Sequence, residues 1–153
     1  MWWSENEWTA LSARETCGMC SDAHLPTNAH SLLVHQTPTS FVRIARNQAH
    51  AGYSLVILRE HVTDLIDLTP AQLAGFWTDV QHASRAIQET FAPKKIDYLV
   101  MGHRMPHLHC HLLPQHAHDD PRRNPDISDG PAIAEPTELN RAARAMASAW
   151  ERT

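Results

Sequence analysis

The sequence predicts an α+β fold: a roughly five-stranded antiparallel sheet with one long helix packed on it and a second helix at the C-terminus. Three observations predict it. Short apolar runs bounded by proline, glycine and asparagine recur along the first three quarters of the chain. One unbroken stretch of helical periodicity separates the third run from the fourth. A second helical stripe follows a long stretch with no periodicity at all.

Ser31–His35 and Phe41–Ala45 flank Thr37-Pro38-Thr39, so they read as two antiparallel strands joined by a proline turn. Tyr53–Leu58 is almost wholly apolar, which places it in the middle of a sheet with both faces covered. The period then changes. Thr69-Pro70-Ala71-Gln72 supplies an N-cap, a proline at the first helical position and a capping-box partner. Leu73, Phe76, Trp77, Val80, Ile87 and Phe91 follow at helical spacing as an expected core stripe, and Pro93 ends the helix. Ile96–Met101 is a further strand, turned back by Gly102-His103-Arg104-Met105-Pro106 into His107–Leu113, its antiparallel neighbour. Residues 114–136, rich in Pro, Asp, Arg and His, read as a long surface loop. Residues 137–152 form the terminal helix, with Leu139, Ala142, Ala143, Met146 and Trp150 on one stripe.

A chain of 153 residues, 42% hydrophobic and 20% charged, fits a single soluble domain over 1–153. The formal charge of -4 gives no general reason to bind a nucleic-acid polymer, so any phosphate must be held locally. Met1 to Trp8 carries Glu5 and Glu7 in place of a basic leader, and no apolar run reaches membrane-spanning length. A cytoplasmic protein with no membrane partner is the expectation. The three cysteines agree with a reduced compartment: Cys17 and Cys20 form a Cys-x-x-Cys, and Cys110 reads as a small buried apolar residue.

The chemistry is concentrated in His107-Leu108-His109-Cys110-His111-Leu112-Leu113. On an extended strand, alternate side chains share a face, so the imidazoles should form a solvent-facing row while Leu108, Cys110 and Leu112 enter the core. A merely solvated face would accept Thr, Lys or Glu as readily, and clustered imidazoles repel once protonated. Metal ligation and phosphate chemistry are the two functional uses. Three histidines on a straight strand converge poorly on one ion, because the outer two stand about 13–14 Å apart. A neutral imidazole, by contrast, is a competent nucleophile at neutral pH, with an unperturbed pKa near 6.5.

Flanked by Pro106 and Pro114, this segment resembles the signature of the histidine triad (HIT) superfamily of nucleotide hydrolases and transferases. Gly52-Tyr53-Ser54-Leu55-Val56-Ile57-Leu58-Arg59-Glu60-His61-Val62 is similar to the family's glycine-led strand ending in a basic residue and a histidine, and Asp119-Asp120-Pro121 to a tail in some branches. The resemblance spans residues 17 to 121. It implies the HIT-like fold, a homodimer, and a phosphoramidase or dinucleoside polyphosphate hydrolase acting on a purine nucleotide adduct at its α-phosphate. His109 would be the nucleophile and His107 and His111 its catalytic flanks. Asn47 lies where the family places a ribose-contacting residue, and His103 and Arg104 stand in the loop that meets the phosphates. Leu32, Phe41 and Ile44 could line a base slot or simply pack the core. Tyr53 replaces a histidine that many members carry, and Gln115 an arginine. Tyr53, together with Gly102-His103-Arg104-Met105 where the family's loop commonly offers Asn and Gln or Ser, favours the alternative, a non-catalytic nucleotide-binding or interaction protein on the same scaffold.

Cys17 and Cys20 are spaced to fill two corners of a zinc tetrahedron, with a metal-free or redox-active thiol pair as the alternatives. Asp22 and His24 lie close by in sequence as competing ligands. The resemblance completes the set with the histidine that ends the upstream strand and the first of the triad, here His61 and His107, and implies a structural zinc.

Overall fold

A computed structural model describes residues 1–153. The chain runs α1 (Glu5–Ser12), α2 (Gly18–Asp22), β1 (Ser31–Gln36), β2 (Ser40–Ala45), β3 (Ser54–Leu58), α3 (Pro70–Phe91), β4 (Lys95–Leu99), β5 (His109–Gln115) and α4 (Pro136–Trp150), with short 3₁₀ turns at Arg14–Thr16 and Leu65–Asp67. The strands form one antiparallel sheet in the order β1-β2-β3-β5-β4. The apolar β3 is central, as its composition requires.

Local chemistry sets the ends of α3. The Thr69 side chain accepts from the Gln72 N–H while the Gln72 side chain accepts from the Thr69 N–H, and Pro70 occupies the first turn where its missing donor costs nothing. At the other end Ala92 turns left-handed, φ 49°, before Pro93. Gly52 initiates β3 at φ +92°, and a Cβ there would lie 2.9 Å from the Phe91 ring, so both backbone angle and space demand glycine.

Helices α3 and α4 cover one face of the sheet. Val42, Ile44, Val56, Leu58, Cys110 and Leu112 meet Phe76, Val80, Ala83 and Ile87 of α3 and Leu139, Met146 and Trp150 of α4 in a single core cluster. Each Val, Leu, Ile, Phe or Met among them, fully buried, contributes about 1.5–3 kcal/mol. Leu32 and Ile44 belong to this cluster, and Phe41 packs with Ala23 and Ile57, so none of the three forms a slot for a base.

A buried arginine organises the other face. Arg43 of β2 is fully enclosed: Nε donates to Ser31 Oγ at 2.7 Å, Nη1 to the carbonyls of Ala23 and Leu25 at 2.7 and 2.6 Å, and Nη2 to the Ser31 carbonyl at 3.0 Å. Its fork thereby fixes the segment that joins α2 to β1.

Several sequence expectations need correction. Strand β5 begins at His109 and not at His107, because the His107 N–H is tied to the Met105 carbonyl in a tight turn at 2.8 Å. Leu73 and Trp77 are 41% and 38% exposed, since only the Phe76, Val80, Ala83, Ile87 stripe of α3 faces the sheet. The terminal helix spans Pro136–Trp150, one residue earlier at its start than expected and two shorter at its end. Helices α1 and α2 had no apolar period to reveal them, although Ser4 and Glu7 form a complete capping box at the start of α1. No helix is long and apolar enough to cross a membrane.

A histidine pair beside a cluster of two cysteines and two histidines

The register between β3 and β5 sorts their residues onto two faces. Leu55 lies opposite His111 and Ile57 opposite His109, while Val56 lies opposite Cys110 and Ser54 opposite Leu112. Directly opposed residues share a face. The second set enters the helix-covered core, and the first set faces a cavity of about 510 Å3 lined by Met19, Tyr53, Leu55, Ile57, His109 and His111 among others.

The expected solvent-facing row does not exist. His107, His109 and His111 are 1%, 4% and 6% exposed. The turn at Met105 takes His107 off the strand and sends its ring away from the other two, whereas His109 and His111 bring their Nε2 atoms to 3.1 Å.

Backbone carbonyls determine the tautomers. His109 Nδ1 lies 2.6 Å from the His107 carbonyl and must donate to it, so a neutral His109 carries its lone pair on Nε2. Burial lowers the pKa of His109 and lowers that of His111 to about 4, with repulsion from His109 adding to the latter. Both rings are therefore neutral at pH 7. His111 Nδ1 meets the buried Tyr53 hydroxyl at 2.8 Å.

His107 belongs to a different constellation. Cys17 Sγ, Cys20 Sγ, His61 Nδ1 and His107 Nδ1 all lie within 4.8 Å of one another. Four of the six separations are 3.3 Å (Cys17 to His107), 3.2 Å (Cys20 to His61), 3.4 Å (Cys20 to His107) and 3.3 Å (between the imidazoles). A tetrahedron with zinc bond lengths has edges of about 3.3 Å between nitrogens and about 3.5 Å between sulfur and nitrogen, so these four separations match such a site to within a few tenths of an ångström.

The outer nitrogens are also fixed. His61 Nε2 donates to the Ser12 carbonyl at 2.8 Å and His107 Nε2 to the Leu58 carbonyl at 2.7 Å, which leaves both Nδ1 lone pairs pointing inward. Burial, with Cys17 alongside, pushes the Cys20 thiol up to about 11. A divalent cation reverses that preference by stabilising the thiolate. Asp22 and His24 stand outside the cluster: Asp22 accepts from Asn28 at 3.1 Å, and it lines the cavity.

The remaining sequence candidates have distinct places. His103 and Arg104 are exposed at the cavity mouth, and the His103 carbonyl accepts from the Trp3 indole at 2.8 Å. Asn47 lines the cavity, but its side chain is engaged with the 127–134 segment: Nδ2 donates to the Asp129 carbonyl at 2.9 Å, and Oδ1 accepts from the N–H groups of Ala132 and Ala49 at 3.0 and 3.2 Å. His50 Nε2 pairs with Asp129 Oδ2 at 2.9 Å beside it. Sequence reasoning noted Tyr53 only as a departure, and it missed the Ser12 and Leu58 carbonyls, because an acceptor on the backbone leaves no trace in side-chain pattern.

A family model described as HIT domain matches residues 27–118. A curated relative, bis(5'-nucleosyl)-tetraphosphatase (asymmetrical) from Schizosaccharomyces pombe, is 29% identical over 94 residues, which are 58% of this chain and 48% of the relative. The chain thus spans about half of that relative's length. Among solved structures, a hypothetical histidine triad nucleotide-binding protein from Sulfolobus tokodaii superposes with TM-score 0.72 at 17% identity, covering 89% of this chain and 93% of that one. A histidine triad protein from Bradyrhizobium japonicum gives 0.68 at 23%, covering 80% and 90%. A zinc-bound histidine triad family protein from Mycobacterium smegmatis gives 0.66 at 20%, covering 92% and 96%. At these identities the likeness is one of fold.

Proposed function

The chain belongs to the HIT family, and from that premise we propose that it is a nucleotide hydrolase or transferase attacking the α-phosphate of a dinucleoside polyphosphate, nucleoside phosphoramidate or adenylate. The observation that carries this reading is the hydrogen bond from His109 Nδ1 to the His107 carbonyl, which leaves an unprotonated Nε2 on a neutral ring lining the cavity. A preformed lone pair of this kind is what nucleophilic catalysis at phosphorus needs.

In the proposed reaction His109 Nε2 forms a bond to the α-phosphorus while the bond to the leaving group breaks. The nucleotidyl group is then attached to the imidazole, and water cleaves it to release a nucleoside monophosphate and regenerate neutral His109. His111 offers an N–H donor to the phosphoryl oxygens, where charge accumulates. His107 acts through its carbonyl, and Arg104 and His103 at the mouth supply cationic or polar contacts to the rest of the phosphate chain. Leu55, Ile57 and Met19 provide apolar wall for a purine. The relative's name, a tetraphosphatase, supports this substrate class.

Zinc held by Cys17, Cys20, His61 and His107 is part of the proposal, supported by the donor geometry and by the zinc-bound relative. Such an ion would cross-link the segments carrying the ligands and fix the His107 turn, while the displacement itself belongs to His109. A homodimer is supported by the exposed Leu73 and Trp77 of α3 and Tyr98 and Val100 at the β4 end of the sheet.

The test is to incubate the protein separately with adenosine 5′-phosphoramidate, a dinucleoside polyphosphate and an aminoacyl-adenylate mimic, following nucleoside monophosphate release. Rapid quenching and intact mass measurement should reveal an acid-labile nucleotidyl adduct on the peptide containing His109. Binding of nucleotide without turnover of any of the three would select the non-catalytic reading.

A further inference from the structure

Tyr53 stands between the turn at Ala51-Gly52 and the first residue of β3, 8% exposed, with its hydroxyl on His111 Nδ1 at 2.8 Å. The direction of that hydrogen bond follows from its neighbours. The His107 carbonyl can only accept, so the His109 proton is on Nδ1 and His109 Nε2 is a lone pair. His111 Nε2 faces it at 3.1 Å. Two bare nitrogens at that distance repel, so between neutral rings the hydrogen there must belong to His111. His111 therefore carries its proton on Nε2 and presents a lone pair at Nδ1, and the Tyr53 O–H donates to it. Burial raises the Tyr53 pKa, which keeps the phenol protonated and able to donate.

We propose that Tyr53 is a positioning residue that locks His111 in its Nε2–H tautomer, so that this imidazole always presents a hydrogen, and never a lone pair, to the nucleophile and the bound phosphoryl group. In the free protein that hydrogen caps the lone pair of His109. When a phosphoryl oxygen arrives, the same N–H transfers its hydrogen bond to the oxygen, and His109 Nε2 is uncovered for attack; no proton changes owner in the exchange. The catalytic consequence rests on the hydrolase reading, whereas the tautomer itself does not. Without Tyr53, the Nδ1–H form of His111 is opposed only by the His109 lone pair, and in that form a lone pair would face an anionic substrate.

The experiment uses two readouts on the wild-type protein and Tyr53→Phe, which keeps the ring and removes only the hydroxyl. Long-range 15N–1H correlation spectra report which nitrogen of His111 is protonated. Wild type should show a single Nε2–H tautomer with Nδ1 shifted by a strong hydrogen bond, and Tyr53→Phe should show a mixture. In turnover of adenosine 5′-phosphoramidate, kcat should fall about tenfold or more with KM changed less than threefold, because the lost term is the correct tautomer of a transition-state donor. A wild-type His111 protonated on Nδ1, or a variant that keeps the pure Nε2–H form, overturns the proposal whether or not the variant folds well. A mixed tautomer with unchanged kcat overturns its catalytic consequence. If neither protein turns over any nucleotide, the hydrolase reading fails, and the spectra still decide the role of Tyr53.

Discussion

The His107 carbonyl lies 2.6 Å from His109 Nδ1, so a residue whose ring joins the four-donor cluster fixes, through its own backbone, the tautomer of the imidazole two positions along. The four-donor cluster and the His109–His111 pair thereby share one residue. Disturbing the cluster should reach His109 without any ligand touching the substrate.

The first prediction follows from that sharing. Purified protein should hold close to one zinc per chain, and Cys17→Ser or a strong chelator should lower zinc content, thermal stability and turnover together. Metal analysis alongside a melting curve checks it; zinc loss with an unchanged melting temperature would contradict the proposed structural role.

His109→Asn should reduce turnover by at least about a thousandfold, equivalent to about 4 kcal/mol of transition-state stabilisation. Because the ring is buried and bonded to a carbonyl, a stability cost of about 1–3 kcal/mol should accompany the loss. Nucleotide binding by calorimetry should persist. Turnover within tenfold of wild type would assign the nucleophile elsewhere.

Protonation sets the acid side. With His111 lowered to about 4 from an ordinary 6.5, the unfolded chain binds a proton in this window that the folded chain refuses. Stability should be complete above about pH 6.5, fall as the pH drops, and stop falling on this account near pH 4. Denaturant titrations at stepped pH measure this directly, and His111→Phe should flatten the slope.

Arg43→Met should destabilise the fold by about 3 kcal/mol or more, since it strips the Ala23, Leu25 and Ser31 carbonyls of a buried donor. Arg43→Lys should rescue little, because one ammonium cannot span acceptors arranged around a planar fork. Urea unfolding of both variants decides it; a wild-type midpoint for either would show that the segment after α2 is held by other contacts.

Period and punctuation made most of the scaffold legible. Thr69-Pro70-Ala71-Gln72 announced α3, and the apolar Tyr53–Leu58 announced a central strand, because caps and burial are local signals. Two faces of β5 were legible as well, since Cys110 and Leu112 do enter the core. What could not be read was the cover over the histidine face. That cover comes from α2 and irregular chain such as the 101–105 loop, whose placement depends on contacts such as Trp3 to His103 that no periodicity encodes. Meeting of Cys17, Cys20, His61 and His107 at one point entered through family resemblance, as spacing alone suggested only the cysteine pair. Asn47 was visible as a polar residue near the site, but its commitment to the Asp129 and Ala132 backbone depends on where a distant loop returns.

The spacing of the four donors along the chain has a topological consequence. Cys20 and His61 are 41 residues apart, and His61 and His107 are 46 apart. An ion joining them closes two large rings in the polymer, and a cross-link of that span removes on the order of 4 kcal/mol of loop entropy from the unfolded chain. The exposed Pro38, at the tip between β1 and β2, lies inside the first ring. A protease cutting there would sever the peptide backbone while the coordination bonds still joined both pieces, so the nicked chain would part only after the ion was removed.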